Sequence, residues 1–211
     1  MRIYGASLFV DRTVSFMDNR LVHFAEPCRC AGRVSFFAAE DVEPSMKPRR
    51  SFEAGHQRKF LLIIDEEPEV DSAVYFAASR VAHSGGSLVL LYVIEPQGYQ
   101  HWMGVRQIHI EEETTKATAL FRLHRRKLNQ IGFEEVATED VIKEGSKVDT
   151  IMEMIDEDED IALMVLGAST DPKGPGPLVS TLVGGRAAGA FPVPITVVPG
   201  HLSLDYIKAL A

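Results

Sequence analysis

Only two cysteines occur in the 211 residues, Cys28 and Cys30, and they lie two apart. One Cys-x-Cys pair supplies half of a four-ligand metal site, and a disulfide across so short a span would be strained. They read as two thiols in a reducing compartment. No apolar run approaches the roughly 20 residues that a membrane-spanning helix needs. The apolar stretch after Met1-Arg2 is cut by Asp11 and Arg12, too early for a secretory signal. Asp11, Asp18 and Glu26 are out of place in a mitochondrial presequence. The expected location is the cytoplasm. Positive charge is also scarce: 22 Lys+Arg stand against 30 Asp+Glu, net -8. A chain so acidic has little to neutralise phosphates over a wide face, which argues against a general nucleic-acid binder; neither nucleic acid nor membrane is an expected partner.

Catalytic signatures are equally sparse. The seven histidines form no His-x3-His pair and have no Cys partner at metal spacing. No Gly-x-Ser-x-Gly elbow and no Walker A pattern occur. No enzymatic activity and no resident metal are expected, beyond magnesium that could accompany a nucleotide.

Charge is unevenly distributed. Residues 1–57 hold 8 Lys+Arg and 7 Asp+Glu, whereas residues 58–211 hold 14 and 23, net -9. The first segment has no sustained period of 2 or 3.6 and ends in Pro44, Pro48, Arg49, Arg50 and Gly55, a linker-like composition. Residues 1–57 are therefore read as a poorly ordered extension and 58–211 as one domain. Met46 opens a short basic lead, Met46-Lys47-Pro48-Arg49-Arg50. Two readings stay open: Met46 is the true first residue, or the preceding segment is a real extension.

The patterning from Phe60 onward is strong. Phe60 to Ile64 is a continuous apolar run that stops at Asp65, as in a strand buried on both faces. Val70, Ala73, Val74, Ala77, Ala78 and Val81 follow at helical spacing until Gly85-Gly86. Leu88 to Ile94 reads as a second buried strand. A loop over 96–104 carries Tyr99, His101 and Trp102, and a long helix follows with His124 on its apolar face. Residues 134–142 form a polar, edge-type strand, and Ser146 to Asp149 resembles a capping box opening a helix. The acidic run Asp156 to Asp160 reads as a solvated loop, since it lacks the spacing and glycine of a calcium loop. Ile161 to Leu166 is a fourth strand, 178–190 a helix, Pro194 to Val198 a fifth strand, and Ser203 caps a last short helix. Alternation of this kind builds a three-layer α/β/α sandwich on a parallel sheet, with ligands beyond the carboxyl ends of the strands where strand order reverses.

The loop Gly167 to Pro177 leaves a buried strand and enters a helix. Backbone N–H groups there can hold an anion, with hydroxyls from Ser180 and Thr181 and one positive charge from Lys173. The same Gly and Pro residues also suit a plain strand-to-helix turn.

Four features together resemble the universal stress protein family. The first strand ends in Asp65 before a helix of the Ala77-Ala78 type, and the second reads Leu90-Leu91-Tyr92-Val93-Ile94. Gly145 precedes the third helix, and the fourth strand ends in Val165-Leu166-Gly167, with Pro192 to Val198 at the end. The resemblance spans about 58–199. It implies a Rossmann-like, adenine nucleotide alpha hydrolase-like fold with strand order 3-2-1-4-5. It implies a stress-response protein, non-enzymatic, that binds ATP or another adenine nucleotide as a switch for partner interactions. The nucleotide-binding branch carries Gly-x2-Gly-x9-Gly-Ser/Thr; here the frame is Gly167-x2-Thr170-x9-Ser180-Thr181, with two glycines replaced. By that analogy Asp65 and Val93 lie at the adenine end, and Gly145, Gly167, Thr170, Lys173, Ser180 and Thr181 complete the site. Asp65 also has a plain reading as a helix cap, and Val93 as core. A degenerate loop leaves a nucleotide-independent dimeric interaction module as the alternative, and weak ATP hydrolysis as a third. The resemblance also implies a homodimer paired through Pro194–Val198.

Overall fold

The computed structural model describes residues 47–96, 103–184 and 191–210, with the side chains of 103–105 excepted. Cys28, Cys30, the Met46 start, the Tyr99, His101 and Trp102 loop and residues 185–190 lie outside the described residues.

Five strands form one parallel sheet: β1 (Lys59–Ile63), β2 (Ser87–Ile94), β3 (Thr138–Glu144), β4 (Ile161–Ala168) and β5 (Ile195–Pro199). Their spatial order is β3-β2-β1-β4-β5, as expected. Between them run α1 (Val70–Ser84), α2 (Met103–Gln130), α3 (Lys147–Glu157) and α4 (Pro177–Gly184), with α5 (Leu204–Leu210) at the end.

The central strands are apolar without interruption because both faces are covered. In β1 and just beyond, Phe60, Leu62 and Ile64 pack with α1 and α2, while Leu61 and Ile63 pack with α3 and α4. In β2 the same alternation sends Leu88, Leu90, Tyr92 and Ile94 one way and Val89, Leu91 and Val93 the other. Each fully buried side chain of this kind stabilises by about 1.5–3 kcal/mol. The polar strand lies at an edge, at 138–144 rather than 134–142, because Phe133 to Val136 are taken up by the turn after α2. Two glycines serve the close turn after α1: a Cβ at Gly86, where φ is +121°, would run into the Arg58 carbonyl.

Two local readings need correction. Ser146 does stand at the N-terminus of α3, with extended backbone, but its side chain makes no capping hydrogen bond, so no capping box forms. The acidic run after α3 is not simply solvated. Residues 47–59 lie along it: Lys47 Nζ reaches Asp156 Oδ2 at 3.2 Å, Arg49 donates to the carbonyls of Ile155 and Asp158, and Lys59 Nζ meets Asp158 Oδ2 at 2.8 Å. His56 Nδ1 stands 2.6 Å from Asp160 Oδ1, and the Arg50 amide donates to the Glu159 carbonyl. The part of the extension from 47 to 57 is thus held on the domain.

Candidate functional site beyond the strand ends

β1 leads through α1 toward β2 on one side, and β4 lies on its other side, so strand order reverses between β1 and β4. The segments leaving both strands must diverge there, and between them opens a cleft of about 790 Å³. That volume falls in the range of small-molecule sites. Asp65 to Glu69 form one wall, the loop Gly167 to Pro177 with the first turns of α4 the other, and Ser146 and Lys147 close it from α3.

Asp65 lines this cleft. Its Oδ1 accepts the Glu67 amide at 3.0 Å, a local Asx turn rather than a helix cap, since α1 begins only at Val70. Burial pushes its carboxyl above the ordinary range, against the smaller opposing pull of the Glu67 amide and the Lys147 ammonium. Lys147 Nζ lies 3.5 Å from Glu95 Oε2, and Lys116, reaching in from α2, lies 2.8 Å from Glu66 Oε2. Tyr92 donates its hydroxyl to Glu113 Oε2 at 2.5 Å; burial and that bond push its phenol up to about 12.

The glycine loop is braced by its own short-range bonds. The Ser169 amide donates to the Pro175 carbonyl, the Gly174 amide to the Asp171 carbonyl, and the Lys173 amide to Asp171 Oδ1. Gly174 and Gly176 have φ of +132° and +99°, which is why these positions are glycine. Gly167 has another reason. A Cβ there would run into the backbone carbonyl of Glu69, so the residue makes room for the approach to α1.

Of the residues expected at the site, Asp65, Gly167, Lys173, Ser180 and Thr181 line the cleft. Ser180 Oγ already donates to the Gly176 carbonyl and Thr181 Oγ1 to the Pro177 carbonyl, both at 2.8 Å. Their lone pairs, not their protons, remain for a ligand. Thr170 is exposed and does not line the cleft, so it does not fill it. Val93 is buried in the core layer under α3 and touches an adjoining cavity of about 230 Å³ that shares Asp65, Lys116 and Lys147 with the cleft. Gly145 sits apart: its amide donates to the Ile94 carbonyl, a Cβ would lie 2.7 Å from Thr150 Oγ1, and it borders a separate cavity of about 180 Å³. Sequence reasoning missed Glu69, Glu95, Lys116 and Lys147. Lys147 follows Ser146 at the start of α3 and could have been found there; Lys116 lies mid-helix, and no local pattern marks it. Among the described residues no group of three or more His, Cys, Asp or Glu could hold a metal ion, and no helix is long and apolar enough to cross a membrane.

Comparison with known proteins places this geometry. A family model described as the universal stress protein family matches residues 57–199. Among solved structures, the universal stress protein UspA from Lactobacillus plantarum superposes with a TM-score of 0.53 at 17% identity, covering 67% of this chain and 97% of its own. The hypothetical protein MJ0577 superposes at 0.51 and 18% identity, over 69% of this chain and 98% of its own. At such identities the likeness is one of fold. No curated protein matches the chain.

Proposed function

Because the chain belongs to the universal stress protein family, we propose that it binds an adenine nucleotide in the cleft between β1 and β4 and acts, without catalysis, as a cytoplasmic stress-response switch. The observation that carries this reading is the open cleft of about 790 Å³ at the reversal of strand order, with Asp65 at one end and the Gly167–Pro177 loop at the other. Asp65 is the group to accept a hydrogen bond from the nucleoside. The first turns of α4 and Lys173 are the groups to meet the phosphate. Ligand contact with both walls would favour one arrangement of the loop, and a partner that binds that arrangement would read nucleotide as a population shift. Residues 58–211 are the functional unit in this account.

The test is titration of the purified chain with ATP, ADP and AMP. Saturable binding that is lost in Asp65→Ala supports the switch. Silence from all three at millimolar concentration, in heat and in melting temperature, removes it. Phosphate release that scales with protein through rigorous purification would overturn the non-enzymatic part.

A second reading is a nucleotide-independent dimeric module. It is favoured by the hydroxyls of Ser180 and Thr181, both engaged by helix carbonyls. Either way a homodimer through β5 is proposed. β5 pairs only with β4 among the described strands, and Ile195, Thr196 and Val197 are half-exposed along it. An apolar edge of this kind invites pairing with its own copy.

A further inference from the structure

The electrostatic balance of the cleft is unusual for a phosphate site. Six carboxylates line it (Asp65, Glu66, Glu67, Glu69, Glu95 and Asp171) against three lysines, Lys116, Lys147 and Lys173. Two of the lysines are committed: Lys116 to Glu66 and Lys147 to Glu95. Lys147 also acts on Asp65, so Glu67, Glu69 and Asp171 remain, faced by Lys173.

Glu69 is the best placed of these. It stands where three glycines converge on it. Gly167 yields to its backbone carbonyl, and a Cβ at Gly200 would lie 2.9 Å from its Cβ. A Cβ at Gly176 would lie 3.8 Å from its Oε1. The backbone contacts hold the residue in place, and the side chain brings a carboxylate to the turn that opens α4. That turn is where successive phosphates of a long chain would have to run. Among the described residues no cation pairs with Glu69.

On these grounds, and resting on the adenine-nucleotide reading above, we propose that the cleft selects nucleosides and nucleoside monophosphates over di- and triphosphates, with Glu69 as the residue that repels the longer phosphate chain. The cavity has room for a triphosphate, so the discrimination is by charge and not by size. A neutral ribose or a single phosphate can be met by Lys173 and the α4 amides. Each added phosphate enters a field of three carboxylates set against one lysine, and repulsion across a partly shielded cleft grows with every unit of charge.

The experiment is calorimetric titration of the full chain with adenosine, AMP and ATP, in low-salt buffer with a chelator so that no divalent cation neutralises the phosphates. ATP is expected to bind roughly tenfold or more weaker than AMP, and the gap is expected to narrow as salt is raised. Glu69→Gln keeps the shape and removes the charge; it should tighten ATP by about threefold to tenfold and uncharged adenosine by much less. Glu67→Gln, at the exposed mouth, should act in the same direction more weakly, and the salt series on the unaltered chain needs no variant to fold. ATP binding as tightly as AMP in the intact chain overturns the charge selection and leaves the nucleotide reading standing. Equal ratios in the intact chain and both variants do the same to Glu69. Silence from all three ligands instead refutes the nucleotide reading itself, and the selection falls with it.

Discussion

Asp71, in the first turn of α1, ties that helix to α2. Its carboxylate receives Lys127 Nζ at 2.7 and 2.6 Å, and the Nδ1 of the buried His124 stands 3.4 Å away, an electrostatic contact rather than a well-formed hydrogen bond. The His124 ring, and then the Lys127 ammonium, hold the Asp71 carboxyl below its ordinary value near 3.8 against the opposing effect of burial. A carboxyl depressed in the folded state contributes stability that is present above the unfolded value and is lost as pH falls through the folded one. Asp71→Ala should therefore lower stability by about 1–3 kcal/mol at neutral pH, since it leaves His124 and Lys127 without their carboxylate. Its deficit should shrink as the unaltered protein is taken below pH 4. Urea unfolding across a pH series checks both; a deficit that grows on acidification contradicts the assignment. At this scale the sequence was legible unevenly. His124 was visible on an apolar face, but Asp71, which explains it, was one acid among many. Asp65 was legible as the residue that ends a buried run, whereas Glu69 was not, because its significance depends on Gly167 and Gly200 coming to it from far along the chain.

The elements were read from periodicity, and they succeeded where burial is two-sided. The run Phe60–Ile64 and the run Leu88–Ile94 contain no charged residue to break them, as suits strands covered on both faces. Boundaries failed where polar residues have long-range partners. The acidic run 156–160 reads as solvated because most of its partners are distant in sequence: Lys143 meets Glu157 from nearby, but Lys47, Arg49, Arg50, His56 and Lys59 reach the run and its carbonyls from about a hundred residues earlier. This clasp also accounts for the basic lead, whose positive charges meet the negative end of α3 where the last carbonyls lack helical partners. Arg49 is its anchor, since its guanidinium serves the carbonyls of Ile155 and Asp158 from a part-buried position. Arg49→Ala should cost about 1–3 kcal/mol, whereas Lys47→Ala, at an exposed pair, should cost less than about 1 kcal/mol. Denaturant midpoints of the two variants check this, and equal losses would contradict the clasp.

Among the described residues one sheet separates two apolar layers, and its two edges differ. The β3 edge carries Glu139, Asp140, Lys143 and Glu144, which protect it against pairing. The β5 edge carries Ile195, Thr196 and Val197, while α5, whose Ile207 is buried, packs against α1. Light scattering should return the mass of a dimer, and a charge placed by Val197→Lys should yield a monomer. A monomer in the unaltered chain at high concentration contradicts the pairing. The parallel sheet was legible because alternation of strands and helices leaves few right-handed solutions, whereas its strand order was legible only through the family resemblance. The charge of the cleft was not, since its lining residues are drawn from β1, α2, α3 and the loop after β4.

Amide chemical-shift mapping with AMP tests the proposed nucleotide site in the cleft at the strand reversal. Saturable shifts are expected on Asp65 to Glu69, Ser146 and Lys147, and the segment from Gly167 to Thr181. Shifts confined to other faces, such as the arginine-rich surface of α2 at Arg122 and Arg126, or no shifts at millimolar AMP, would contradict it.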